Sequence, residues 1–296
     1  MAFDNAYEAI TEENDPRWAF GTGFTDPLAG VDTTVPSGVD GDALAAYCLM
    51  LGDDALIMSH RLQQWVTNAP ELEDEVAMAN IGLDLLGQAR LLLARAGTAD
   101  GAGRGEDSYA FLRDKHEFRN VRLVELSSHE NPDFGRVIAQ LLVFSIWRLA
   151  LLDRLAGSAD PVLSAIAAKG VKEITYHRDY AAQWAERLGD GTGYSHERMQ
   201  AGLDAVWPLV GELFVTHPIE RELAGAGVAV DPAGLREEFD EVIEQVCSAA
   251  TLAAPHAAAR RGVSGRTGRD GVHTEAMGYI IAELQSVARA HPETTW

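Results

Sequence analysis

One stretch limits the folds open to this chain more than any other. From Asp133 to Ala156 the residues are apolar on nearly every side of a helix. Such a helix has to sit at the centre of a bundle or be covered by another subunit. Its most apolar part, Val137–Leu152, is interrupted by Gln140, Ser145 and Arg148. No run reaches the roughly 18 uninterrupted apolar residues that span a bilayer, so no membrane span is expected. The helix therefore needs protein around it, and the neighbouring sequence offers it.

Before it, two long helical patterns follow each other. The first runs from about Asp42 to Asn68, with an apolar seam at Leu44, Cys48, Leu51, Ala55, Met58, Leu62 and Trp65. The second runs from about Glu71 to Ala96, where Gly97 is expected to end it. Glu71, Glu73, Asp74 and Glu75 complement its dipole. They are not a calcium loop, since no Asp-rich loop is present. Its seam reads Leu72, Val76, Ala79, Leu83, Leu86, Arg90 and Ala94. After the apolar helix comes another, from about Pro161 to Leu188, with a seam at Val162, Ile166, Gly170, Glu173, His177, Tyr180 and Trp184. Shorter helices are expected at Ser195–Phe214, Pro232–Ala250 and Thr274–Ala290. No segment alternates with a period of two between hairpin turns, so no sheet is expected.

Four long helices with a long join between the second and third give an all-α, ferritin-like four-helix bundle with additional C-terminal helices. That domain spans 39–296. Residues 1–38, rich in Gly, Pro and Asp, read as an extended arm that Trp18, Phe20 and Phe24 could pin to a surface.

The formal charge is −21, from 24 basic and 45 acidic residues, which argues against nucleic acid as a partner. The N-terminus lacks the pattern of a secretory signal, and Cys48 and Cys247 lie far apart without a CxxC motif. A reducing, cytoplasmic location is the expectation.

A bundle of this connection can build a dinuclear metal site from a Glu on each of two helices and a Glu-x-x-His on each of the other two. Here the first helix offers Asp54 beside its seam, with Asp53 nearly opposite. The second offers Asp84, with Gly87 where His is needed. The third offers no Asp, Glu or His in its middle. The fourth offers Glu173, then Tyr176 at the His position and His177 one residue later. Asp54, Asp84, Glu173 and His177 could hold one metal at best. Buried carboxylates need a counter-charge. Arg90 and Lys169 are the candidates to supply it, and a salt-linked core is favoured over a metal. His177 then reads as a core histidine, and Tyr176, Tyr180, Trp65 and Trp184 as core or interface filling. Asp53 and His60 read as solvated. The basic loop of Arg260, Arg261, Arg266 and Arg269 reads first as a flexible solvated loop, second as a contact for a phosphate or an acidic partner.

Several long strings then narrow the reading. LGDDALIMSHRLQQWVTNAPELEDEVAMANIGLDLLGQARLLLARAG (51–97), FLRDKHEFRNVRLVE (111–125), KEITYHRDYAAQWAERLGDGT (172–192) and HTEAMGYIIAELQSVARAHPETTW (273–296) occur in order. They resemble the C-subunit family of the phenylacetyl-CoA 1,2-epoxidases, multicomponent ring monooxygenases. The resemblance implies a structural, ferritin-like subunit of an aromatic-degradation complex. It implies a partner A subunit that bears dinuclear iron and performs the epoxidation, and further subunits including a reductase. It implies no catalytic residue, metal or other cofactor in this chain. The first 38 residues look like an addition to that family's core. Two other readings stand beside it: a self-contained carboxylate-bridged metal oxidase, and a stand-alone helical interaction module.

Overall fold

The computed structural model describes residues 28–126, 133–260, 262–292 and 294. Trp18, Phe20 and Phe24 of the expected arm lie outside the described residues. Nine α-helices are present among the described residues, and no strand; a single bridge joins Val263 and Arg266.

The four long helices are α1 (Gly41–Trp65), α2 (Leu72–Ala99), α4 (Phe134–Leu155) and α5 (Pro161–Gly189). Their starts follow local chemistry. Asp40, Asp133 and Asp160 each accept a backbone N–H from the first turn of α1, α4 and α5. Short joins fold α1 onto α2 and α4 onto α5, and α2 also packs on α5. The long crossover between α2 and α4 carries α3 (Glu106–Phe111) and two 3-10 turns. After the bundle come α6 (Gly193–Val206), α7 (Pro218–Gly225), α8 (Arg236–Ala249) and α9 (Glu275–Ala290). The expected Ser195–Phe214 helix changes at Trp207 into a 3-10 segment, because Pro208 cannot continue the α-helical ladder.

Two expectations need correction. Gly97 does not end the second helix, which runs on to Ala99. A Cβ there would sit 1.9 Å from the Arg104 carbonyl oxygen, so Gly97 admits the following loop instead. Of the two outcomes expected for the apolar α4, the structure shows the first, a place at the centre of the helices. α5, α6 and α8 pack on it, and Trp147 Nε1 donates to Leu213 O (3.1 Å) in the 3-10 segment.

The second correction concerns α2. Its buried stripe is Met78, Ile81, Leu85, Ala89, Leu92 and Ala96. The stripe expected to face inward faces out: Leu72, Val76, Leu83 and Leu86 are exposed. Both sets have helical spacing, so periodicity alone could not choose between them. Arg90, on the outward set, has a side chain 65% exposed and pairs with Glu106 (2.7 Å). It compensates no core charge.

Candidate functional site

Asp53 and Asp54, in the middle of α1, are both fully buried. Asp54 lies on the bundle side. Arg269 grips it with both terminal nitrogens (3.0 and 2.9 Å), and Val121 N donates to it (2.8 Å). Arg269 also donates to Met50 O and Arg119 O (both 2.9 Å). Asp53 faces the other way and is not solvated. The crossover folds over it, so that Arg113 forms a two-pronged pair with it and Arg119 N donates (2.8 Å). Arg113 lies over the Phe118 ring at 4.1 Å. Nearby, Glu212 accepts from Arg122 Nε (2.5 Å) and Gly268 N (3.0 Å). Glu125 accepts from Asn120 Nδ2, Thr274 N and the Thr274 hydroxyl, and meets His273 Nδ1 at 2.7 Å. Buried carboxylates thus tie the crossover and the 266–274 segment to the bundle.

The basic loop is divided by this arrangement. Arg269 is a core group, not a contact for phosphate or partner, because Asp54 pulls its loop down onto α1. Arg266 folds back to donate to Asp270 O (2.9 Å). Arg260 is exposed, with its backbone N–H bonded to Pro208 O (2.6 Å). Arg261 lies outside the described residues.

From Asp54 a polar thread crosses the four-helix interior. Arg148 of α4 is fully buried; its Nη1 lies 4.0 Å from Asp54 and donates to Leu51 O (3.1 Å). Its Nη2 donates to Gln88 Oε1 on α2 (3.3 Å). Gln88 Nε2 donates to Glu173 Oε2 on α5 (3.0 Å), and Lys169 pairs with the other Glu173 oxygen. Glu173 is therefore compensated by Lys169, not by Arg90. Further along the α2–α5 seam, His177 Nε2 lies 3.1 Å from Asp84 Oδ2. His177 is fully buried, while the Asp84 side chain is 39% exposed. Asp74 closes that seam, accepting from Tyr180 OH and Trp184 Nε1 (both 2.9 Å).

Burial sets the electrostatics. It pulls the Arg148 guanidinium down to about 10, against the pull of Asp54. It pushes the Asp54 carboxyl up, against Arg269 and Arg148. Burial also works against the charge on Arg269, but Asp54 and Glu220 outweigh it and hold that group above the ordinary arginine value. In this pair the guanidinium stays charged and the carboxylate bears the cost of burial.

These residues do not fit a dinuclear metal. Both oxygens of Asp54 and both of Glu173 are taken by nitrogen donors of the chain itself. What is left is one histidine–aspartate contact. Among the described residues no three His, Cys, Asp or Glu side chains gather as a metal would need. The four sequence-picked positions thus fall into separate places: Asp54 against α4, Glu173 against Gln88, and Asp84 with His177. Sequence reasoning does not single out Arg148 or Gln88. Arg148 does leave a signal, as the one charge in the middle of an otherwise apolar helix.

A family model described as "Phenylacetic acid catabolic protein" matches residues 31–296. The C-subunit of 1,2-phenylacetyl-CoA epoxidase from Escherichia coli (strain K12) is 43% identical over 254 residues, covering 86% of this chain and 99% of that protein.

Proposed function

This chain belongs to the phenylacetic acid catabolic protein family, and from that premise we propose that it is the non-catalytic structural subunit of a phenylacetyl-CoA 1,2-epoxidase complex. Its partner is a related subunit that bears the dinuclear iron, and a reductase subunit supplies electrons. The observation that carries this reading is the polar thread through the bundle. The helix that should bring a bridging carboxylate brings Arg148 instead, and Glu173 is neutralised by Lys169 and Gln88. The polar groups that meet Asp54 and Glu173 in this interior are nitrogen donors, not hard oxygen ligands. The self-contained oxidase reading would need those carboxylates free. The complex works in the cytoplasm, in keeping with the free, buried thiols of Cys48 and Cys247.

Reconstitution tests this. Supplied with reductase and NADPH, the chain alone leaves phenylacetyl-CoA unchanged, and adding it to the iron-bearing subunit raises that subunit's solubility or turnover. Epoxide formation by this chain with reductase alone would overturn the proposal.

A further inference from the structure

Away from the polar thread, the side chains of Glu125 and His273 meet in full burial. Glu125 ends a 3-10 turn of the crossover (Arg122–Glu125), and His273 comes one residue before Thr274, the N-cap of α9. The two imidazole nitrogens face oxygens on opposite sides. Nδ1 lies 2.7 Å from Glu125 Oε1, and Nε2 lies 3.0 Å from Phe118 O. A backbone carbonyl only accepts, so Nε2 carries a proton. A carboxylate only accepts too, so a second proton must lie between Nδ1 and Glu125. The other contacts of Glu125 decide which group owns it. Oε1 also accepts from Asn120 Nδ2 (3.0 Å), and Oε2 accepts from Thr274 N (2.7 Å) and the Thr274 hydroxyl (2.6 Å). Donors gathered on a carboxyl group favour its charged form. The second proton therefore belongs to the imidazole, and His273 is a cation.

The surrounding charges leave this assignment in place. From α1, Arg61 donates Nε and Nη2 to the backbone oxygen of Glu125 (3.2 and 2.8 Å), which also favours a carboxylate. On the crossover, Arg122 turns to Glu212. On the 266–274 segment, Arg269 turns to Asp54, and Asp270 faces His217 at the start of α7 (3.5 Å). Glu275 of α9 is exposed. The segment lies flat on the crossover: a Cβ on Gly268 would sit 2.0 Å from Asn120 O, and one on Gly271 2.1 Å from His116 O. The pair closes that contact at its C-terminal end. We propose that Glu125 and His273 form a proton-dependent clamp, a buried carboxylate–imidazolium pair whose loss of one proton releases the 266–274 segment from the crossover. Without that proton, lone pairs on Nδ1 and Oε1 face each other at hydrogen-bond distance, and the buried acceptors repel. The same segment carries Arg269, so the clamp links a single proton to the counter-charge of Asp54.

Two measurements on the full chain test this. Nitrogen NMR of the histidine rings is recorded in mildly alkaline buffer, where a free imidazole is neutral. One ring is expected with both nitrogens protonated, and its signal is missing from His273→Gln. A neutral ring at His273 would overturn the proposal, and this result needs only the wild-type chain and the single variant. Hydrogen exchange of the 266–274 amides is then followed against those of α4. Opening of the segment releases one proton, so its opening constant rises about tenfold per pH unit above about 6.5. The double variant Glu125→Gln with His273→Gln replaces the charged pair by neutral amides and loses that slope. An opening constant that ignores pH in the wild type would overturn the clamp, as would the same slope in a folded double variant.

Discussion

The helices α2 and α4 are alike in composition and opposite in fate. Both are long and apolar enough, by length and content alone, to cross a membrane. In α4 the most apolar window is 89% buried inside the protein; in α2 it is 50% buried. Arg148, in the middle of α4, is sealed in the interior and shared between a carboxylate and two oxygen acceptors. On α2, Arg90 stands in solvent against Glu106, whereas Arg95, on the inner side, is buried against Asp160. The difference comes from the rest of the chain. The helices after the bundle wrap α4, and nothing in the described residues wraps the outer side of α2. An apolar helix thus shows that cover is needed, and only the tertiary structure shows whether the chain supplies it.

The largest effect that sharpens this contrast is expected at the wrapped side. Arg269→Met leaves Asp54 buried with only the more distant Arg148, costing about 3–5 kcal/mol. Adding Asp54→Leu recovers much of that loss, since both charges then leave together. Arg90→Met on the open side changes stability by no more than about 0.5 kcal/mol. Urea unfolding of the variants checks all of these. Equal losses at Arg269 and Arg90 would break the comparison.

Smaller effects follow on the α2 side. Gly87→Ala raises the stability of the isolated chain by up to about 1 kcal/mol, because the open position accepts a methyl group and the helix gains propensity. A loss would mean that Gly87 serves the fold itself. Lys169→Met costs less, about 0–1 kcal/mol, since the Lys169 side chain is 38% exposed and its pair with Glu173 is partly screened. Thermal unfolding resolves the two signs.

How much of this is legible in the sequence follows the same divide. The α1 seam from Leu44 to Trp65 is buried throughout, and so is most of the rest of α1, including Tyr47, Met50 and Ile57, so no choice of stripe there could be wrong. The starts of α4 near Asp133 and of α5 at Pro161 are legible from local chemistry. On α2 two apolar stripes compete, and reading the wrong one as the seam places Arg90 inward. Asp53 looks solvated because its partner Arg113 arrives through the crossover, distant in sequence. Arg269 looks like a surface charge for the same reason: its partner Asp54 is more than two hundred residues earlier. The incomplete ligand set can be read from local patterns. Lys169, one turn before Glu173, is legible in the same way, but Arg148, Gln88 and Arg269 are not, because contacts between distant segments fix them.

The least pronounced effect is a pH slope. Burial holds the imidazoles of His60 and His217 below the ordinary histidine value of 6.5, against the pull of Glu283 and Asp270. His217 Nδ1 also accepts Ile219 N (3.3 Å) at the start of α7, which requires an unprotonated nitrogen. The unfolded chain takes up these protons near 6.5, before the folded chain does. Stability is therefore fully present above 6.5 and falls as pH drops below it toward the folded values. Urea midpoints on either side of 6.5 show the decline, and His60→Gln with His217→Gln flattens it. An unchanged slope in that double variant would assign the effect to carboxylates instead.

The central claim is that Asp54 and Glu173 are held by arginine, lysine and glutamine and are not free to ligate a dinuclear iron. Elemental analysis of the purified chain, expressed with ample iron and separated from any partner, tests it most directly. The account predicts iron far below one atom per chain, with no absorption from a bridged ferric pair. A stoichiometric pair of irons with that absorption would contradict it, since Asp54 and Glu173 would then have to leave the partners they hold here.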